Sequence, residues 1–290
     1  MDTVCGMSGG TMKVGVCGSG IMGAGLAEVI ARANKQAIVL SRSQQSLDQM
    51  MGLIQAGLTK QVTKEKITES QKAEILSNIT GTTSIDDLRE CDLVIESVLE
   101  DLDTKRELFS RLDKSLKPGA IIATNTSTLP VLQMALATTR PENVCGIHFF
   151  NPATLMSLVE VVRTETTSEE TVARATQFVL DCGKDPVQVL DRAGFIVNAL
   201  LFPYLNNAIK MHEAGTASME DIDTAMKGGC NFPMGPFSLL DLVGLDTSLA
   251  ILDTLHDSFK DPNFAPAETL KKLVAEGKLG RKTKQGFFTY

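Results

Sequence analysis

Residues 13–40 carry the strongest constraint on what this chain can fold into. Lys13-Val14-Gly15-Val16-Cys17 is a short apolar run, and Gly18-Ser19-Gly20-Ile21-Met22-Gly23 follows it directly. Residues 21–33, IMGAGLAEVIARA, are rich in good helix formers, and residues 37–40 make a second apolar run. Strand, turn, helix and strand in so short a span define a βαβ unit, and that unit implies a parallel sheet. A G-x-G-x-x-G turn in this place has a specific physics. The first glycine permits the tight turn, the second lets main chain approach a pyrophosphate, and the third lets helix pack on strand. The diphosphate then lies at a helix N-terminus, where unbonded N–H groups and the dipole favour negative charge. Gly18, Gly20, Ile21, Met22 and Gly23 are therefore read as a dinucleotide-binding turn. A doubly wound fold that uses the turn only structurally is the alternative.

The second strand ends in Leu40-Ser41-Arg42-Ser43. A chain that binds NAD usually places an Asp or Glu here, against the ribose hydroxyls. An acid would repel the 2′-phosphate of NADP. Ser41 removes that repulsion, and Arg42 offers a planar cation suited to phosphate. The pair points to NADP(H), with NAD possible; a plain solvated loop is the other reading.

Beyond this unit the alternation continues. Residues 46–78 read as two amphipathic helices joined near TKEK, followed by a buried strand at 91–98 and a helix at 102–116. Pro118-Gly119 breaks that helix before a strand at 120–124, and further strands are expected at 143–148 and 158–163. From Phe195 onward the pattern is helical, punctuated by Gly and Pro at 228–236 and by Gly244. The expected organisation is a Rossmann-type, doubly wound, mainly parallel α/β domain over 1–190 and an all-helical domain over 191–290. Residues 1–11 read as a loose leader ahead of a folded part beginning at Met12.

Composition removes several classes. A net charge of −7 with no dense run of Lys or Arg argues against nucleic acid as a partner. No apolar run reaches membrane-spanning length. Six cysteines scattered without C-x-x-C spacing suit reduced thiols in a cytoplasmic protein, and three unclustered histidines do not make a zinc site.

Four downstream features carry chemistry. Asn125-Thr126-Ser127-Thr128 follows a strand where a doubly wound sheet places its ligand crevice. His148 follows another strand, Glu160 lies in SLVEVV, and Asn198 opens the helical domain in GFIVNALL. Singly, each has an ordinary structural reading; His212 and His256, without partners in the pattern, are read as structural. Together with VIESVLED, NTSTLP, GIHFFNPATLMSLVEVV, FPMGPFSLLDLVGLD and KLGRKTKQGFFTY, in this order, they give a chain that resembles the 3-hydroxyacyl-CoA dehydrogenase family from about Met12 to Tyr290.

The resemblance implies roles residue by residue. His148 is similar to the family's general base, Glu160 to the acid that fixes its tautomer, and Ser127 and Asn198 to hydrogen bonders of the substrate oxygen. Glu100, Lys105 and Asn125 resemble positions touching the nicotinamide side of the cofactor. Lys60, Lys64 and Lys66, on the helical arm, stand where CoA phosphates would be met, although a solvated face explains them equally. The family pattern also implies a short-chain acyl-CoA substrate and a homodimer formed through the helical domain. Three positions depart from it. Ser41-Arg42 replaces the usual acid, Ser157 stands where many relatives carry Lys, and Thr128 stands where a second Ser is common. The missing Lys at 157 leaves room for a carrier-protein-bound hydroxyacyl group as substrate.

Overall fold

The computed structural model describes residues 12–290; the expectation of a leader at 1–11 lies outside the described residues. Two compact units divide the chain, the first ending at Asp191 and the second spanning Arg192–Tyr290.

The first unit alternates strand and helix. Its strands are β1 (Lys13–Cys17), β2 (Gln36–Leu40), β3 (Ile79–Thr82), β4 (Leu93–Glu96), β5 (Ile121–Thr124), β6 (Val144–Phe149), β7 (Leu158–Arg163) and β8 (Asp185–Leu190). Its helices are α1 (Ile21–Arg32), α2 (Gln44–Thr63), α3 (Glu69–Ser77), α4 (Leu102–Ser115), α5 (Val131–Ala135) and α6 (Glu169–Asp181). The strands form one sheet in the order β3-β2-β1-β4-β5-β6-β7-β8. All run parallel from β3 to β6; β7 pairs antiparallel with β6, and β8 is parallel to β7. The Rossmann-type expectation holds, and the reversal at β7 proves decisive for the site.

The central strands β4, β5 and β6 are buried along their whole length, which is why they read as unbroken apolar runs. Small residues Gly23, Ala24, Ala27 and Ala31 let α1 lie close on the sheet. Leu47, Met50, Ile54 and Leu58 recur at helical spacing and bury one face of α2. Ser43 caps α2 by accepting the Ser46 N–H, and Thr68 with Gln71 forms a capping box on α3.

Sequence patterning passed over β3, β8 and α6. The two strands lie at the sheet edges, where two of the four residues of β3 and four of the six of β8 are exposed and no buried run forms. Pro186 in β8 suits an edge, because it donates nothing to a further neighbour. The buried residues of α6, Val172, Ala175, Phe178 and Val179, do repeat at helical spacing.

The second unit holds five helices among its described residues: α7 (Val197–Glu213), α8 (Met219–Cys230), α9 (Pro236–Val243), α10 (Leu245–Phe259) and α11 (Glu268–Ala275). Phe202, Leu205, Ile209, Phe237, Leu240, Leu252, Leu255 and Leu270 form its core. Two buried carboxylates lock the Gly/Pro punctuation in place. Asp223 accepts the N–H groups of Phe237 (2.8 Å) and Ser238 (3.1 Å), capping α9 from a neighbouring helix. Asp241 accepts those of Phe287 (2.9 Å) and Phe288 (2.8 Å), pinning the C-terminal segment.

Candidate active site

The carboxyl edge of the first unit's sheet gathers most of the predicted site residues. Gly18 leaves β1 at φ 121°, and a Cβ there would lie 2.3 Å from the Ser97 carbonyl oxygen. A Cβ on Gly23 would lie 2.0 Å from the Gly18 oxygen, so strand turn and helix approach as only glycine allows. At Gly20 an added Cβ would meet nothing within 4 Å, so the main chain is open to approach. No side chain caps α1, which leaves its first N–H groups directed outward. These are the properties a pyrophosphate requires, and the residues fit a dinucleotide. Ile21 is exposed beside the turn, whereas Met22 packs partly against the core.

Ser41 follows β2 and is buried, with its hydroxyl 2.7 Å from that of Ser19 inside the glycine turn. This Ser19 contact was not marked by the sequence. Arg42 is exposed and its guanidinium has no hydrogen-bond or ion-pair partner among the described residues.

A charged network, buried at Glu96 and Lys105 and open to solvent at Glu100, lies at the ends of β4 and β5. Glu96 is fully buried and holds the Lys105 ammonium at 2.7 and 2.8 Å through its two oxygens. It also accepts the Val98 N–H (2.6 Å) and the Thr124 hydroxyl (2.7 Å). Lys105 makes a further contact with Glu100 Oε2 at 3.1 Å. Glu100 Oε1 in turn accepts the Thr126 hydroxyl and the N–H groups of Ser127 (3.0 Å) and Thr128 (3.4 Å). Burial alone would raise the pKa of Glu100, but the Lys105 charge and these donors outweigh it, holding the carboxyl below the usual range.

Ser127, His148 and Glu160 meet at the same edge. Thr124, the last residue of β5, pairs with Gly146, so β6 runs on and carries His148 past the end of β5. The chain then reverses, and β7 places Glu160 directly opposite His148 in the antiparallel register. His148 Nδ1 lies 2.7 Å from Glu160 Oε2, with both side chains buried. An ionised carboxylate only accepts, so Nδ1 carries the proton and Nε2 is left as the acceptor. Ser127 Oγ lies within hydrogen-bond distance of Nε2, at 3.1 Å. Asn125 Oδ1 accepts the Phe149 N–H at 2.8 Å, joining the two strand ends, and the Phe150 ring sits 4.5 Å from the imidazole.

This hydroxyl–imidazole–carboxylate line has the layout of an acyl-transfer triad, but its surroundings oppose that chemistry. The N–H groups of Ser127 and Thr128, which would face an oxyanion, already bond the Glu100 carboxylate. What remains is an imidazole with a hydroxyl at one ring nitrogen and a carboxylate at the other, an arrangement that can move a proton to and from a hydroxyl.

The three predicted lysines lie on or just after α2. Lys60 is in the last turn of α2, Lys64 is its C-cap and Lys66 follows in the link to α3; all three are exposed. At 1.5 Å per residue, α2 carries them roughly 30 Å along its axis from Ser43. Asn198 is buried near the start of α7 in the second unit, after a turn in which Gly194 and Phe195 take positive φ.

Residues 13–192 match the family model "3-hydroxyacyl-CoA dehydrogenase, NAD binding domain", and residues 194–290 match "3-hydroxyacyl-CoA dehydrogenase, C-terminal domain". The chain is 43% identical over 279 residues to a 3-hydroxybutyryl-CoA dehydrogenase of Clostridioides difficile, covering 96% of this chain and 99% of that one. It is 45% identical over 285 residues to the mitochondrial hydroxyacyl-coenzyme A dehydrogenase of Homo sapiens, covering 96% and 90%. The crystal structure of (S)-3-hydroxybutyryl-CoA dehydrogenase from Ralstonia eutropha superposes with a TM-score of 0.94 at 38% identity, covering 97% of this chain and 99% of that one. The chain belongs to the 3-hydroxyacyl-CoA dehydrogenase family. It is an NAD(P)-dependent oxidoreductase acting on a CH–OH group. Among the described residues no helix is long and apolar enough to cross a membrane.

Proposed function

We propose that this enzyme is an NADP-preferring (S)-3-hydroxyacyl-CoA dehydrogenase for short chains, interconverting 3-hydroxybutyryl-CoA and acetoacetyl-CoA. The observation that carries the reading is the Ser127–His148–Glu160 line at the carboxyl edge of a dinucleotide-type sheet. When bound, the nicotinamide accepts or supplies the hydride at C3 of the substrate. His148 Nε2 takes the C3 hydroxyl proton in oxidation and returns it in reduction, so one proton moves with each hydride. Glu160 keeps Nδ1 protonated and stabilises the imidazolium. Ser127 holds the substrate oxygen, and Asn198 offers an amide suited to the same oxygen. Glu100, Lys105 and Asn125 form the wall on the nicotinamide side, Glu100 by fixing the 125–129 loop and Lys105 by fixing Glu100.

NADP preference rests on Ser41 and Arg42. A charge-assisted bond from Arg42 to the 2′-phosphate contributes about 1.5–3 kcal/mol, or about ten- to a hundredfold in preference. Lys60, Lys64 and Lys66 are assigned to the CoA phosphates. The helical unit is assigned to substrate and to a homodimer contact, supported by the exposed apolar side chains of Leu200, Met211, Phe232, Leu242 and Phe259. Cytoplasmic residence is part of the same reading, supported by the unbridged cysteines among the described residues.

The test is acetoacetyl-CoA reduction with NADPH and NADH side by side at matched low concentrations. A preference for NADPH of about tenfold or more, lost in Arg42→Ala, is expected. Equal rates make Ser41-Arg42 a solvated loop. No reduction with either cofactor turns the reading to a carrier-protein thioester, for which Ser157 in place of Lys leaves room.

A further inference from the structure

Glu96 has no place in the hydride-transfer roles above, yet each of its oxygens is hydrogen-bonded to more than one partner. Both its oxygens face the Lys105 ammonium, one also accepts the Val98 N–H, and the other the Thr124 hydroxyl. Neither Glu96 nor Lys105 has appreciable exposure. A buried ion pair of this kind is weak support for stability, since desolvating both charges offsets most of their attraction. Its use lies in where it holds the ammonium.

We propose that Glu96 is a positioning residue that sets the Ser127–His148 contact through Lys105, Glu100 and the 125–129 loop. The inference rests on the family's hydride-transfer chemistry and names a further residue needed for it. Three carboxylate oxygens surround Lys105: two from Glu96 and one from Glu100. Because Glu96 fixes the ammonium, Glu100 can offer only Oε2 to it. Oε1 is thereby turned to the loop, where it gathers the Thr126 hydroxyl and the Ser127 and Thr128 N–H groups. A second strand of the network runs in parallel. The Thr124 hydroxyl donates to Glu96 and accepts the Thr126 N–H at 3.0 Å, and the Thr126 hydroxyl accepts the Leu129 N–H at 3.0 Å. Both routes start at Glu96 and end at the main chain that carries Ser127. Without the Glu96 charge, Glu100 is the one carboxylate left to neutralise Lys105. It then turns both oxygens to the ammonium and releases the loop.

The chain has only three histidines, so the imidazole nitrogens of His148 can be followed one by one in a 15N spectrum, assigned by their loss in His148→Gln. In Glu96→Gln the Nε2 resonance is expected to move toward its position in Ser127→Ala, while Nδ1, held by Glu160, stays. The kcat for acetoacetyl-CoA reduction falls about a hundredfold, the cost of a misplaced catalytic contact. KM for acetoacetyl-CoA changes by less than about threefold, since uniform binding is kept. Thr124→Val, a milder lesion on the parallel route, moves Nε2 the same way by less, and serves if Glu96→Gln does not fold. Unmoved His148 resonances with parental kcat in a variant that only melts lower would overturn the proposal and leave Glu96 a plain core ion pair. The spectrum is read without substrate or cofactor. Failure of the acyl-CoA reading therefore shows as an inactive parent, and failure of this inference as an unmoved Nε2.

Discussion

The glycine turn and the His148–Glu160 pair lie on the same edge of one sheet, and they are built in opposite ways. The turn is local. Its residues fall within one βαβ unit and it presents main-chain N–H groups; the one distant demand on it is the Ser97 carbonyl, which leaves no room for a Cβ at Gly18. The pair is non-local. It depends on β6 outrunning β5 and on β7 reversing direction in one register, which brings together side chains that the linear sequence separates. A site made of main chain is broken by adding atoms; a site made of side chains is broken by exchanging one polar atom.

That contrast orders the mutations. His148→Gln keeps volume and hydrogen bonding but removes the proposed base, and kcat is expected to fall by about 10³- to 10⁴-fold. Its Tm and its NAD(P)H affinity, by fluorescence titration, stay close to parental values. Glu160→Gln leaves an amide where the imidazolium needs a carboxylate; stopped-flow reduction is expected to slow by about 10²-fold. Loss of cofactor affinity in either variant would show that the two regions are not separable.

Gly23→Val attacks the other region. Its Cβ would lie 2.0 Å from the Gly18 oxygen, so the turn must open. Overpacking of this kind costs about 1–3 kcal/mol, and cofactor Kd should rise about tenfold. The 15N resonances of His148 should not move. Unchanged Kd would mean the main-chain approach at this turn does not carry cofactor binding.

The smallest effect is expected at Asp113, on α4. Its carboxylate accepts the Thr139 N–H and bonds Arg140, fixing the turn that leads into β6. Burial would raise its pKa, but the Thr139 and Arg140 donors win and lower it. A lowered folded pKa gives stability that is full above the unfolded value and lost as pH falls through the folded one. Asp113→Asn should therefore lower Tm at neutral pH, by the equivalent of about 1–3 kcal/mol. The difference from the parent should close as pH is lowered below the usual aspartate range. A gap that persists in acid would assign the loss to packing.

The same contrast explains what could be read early. The βαβ unit was legible because its apolar runs, glycines and helix formers act within a few residues of one another. The central strands were legible because burial on both faces leaves unbroken apolar runs. β3 and β8 were not, because an edge strand half open to solvent has no such run. Lys105 was read only as a cofactor neighbour, while its ammonium faces three carboxylate oxygens. Glu96 and Thr126 stood inside family motifs without a role of their own and Thr124 only as a strand residue, since a Glu closing a buried strand looks the same whether its partner is a lysine or water.

By itself, the sequence determined the architecture of each half: local periodicity and turn chemistry specify strands, helices and the glycine turn before any distant contact forms. Family-wide motifs in order marked Ser127, His148 and Glu160. Only the tertiary structure decided that a serine hydroxyl, an imidazole and a carboxylate fall in line. Strand register and direction are fixed by packing between segments far apart in the chain, and hydrogen bonds of 2.7 and 3.1 Å exist only once that register is set.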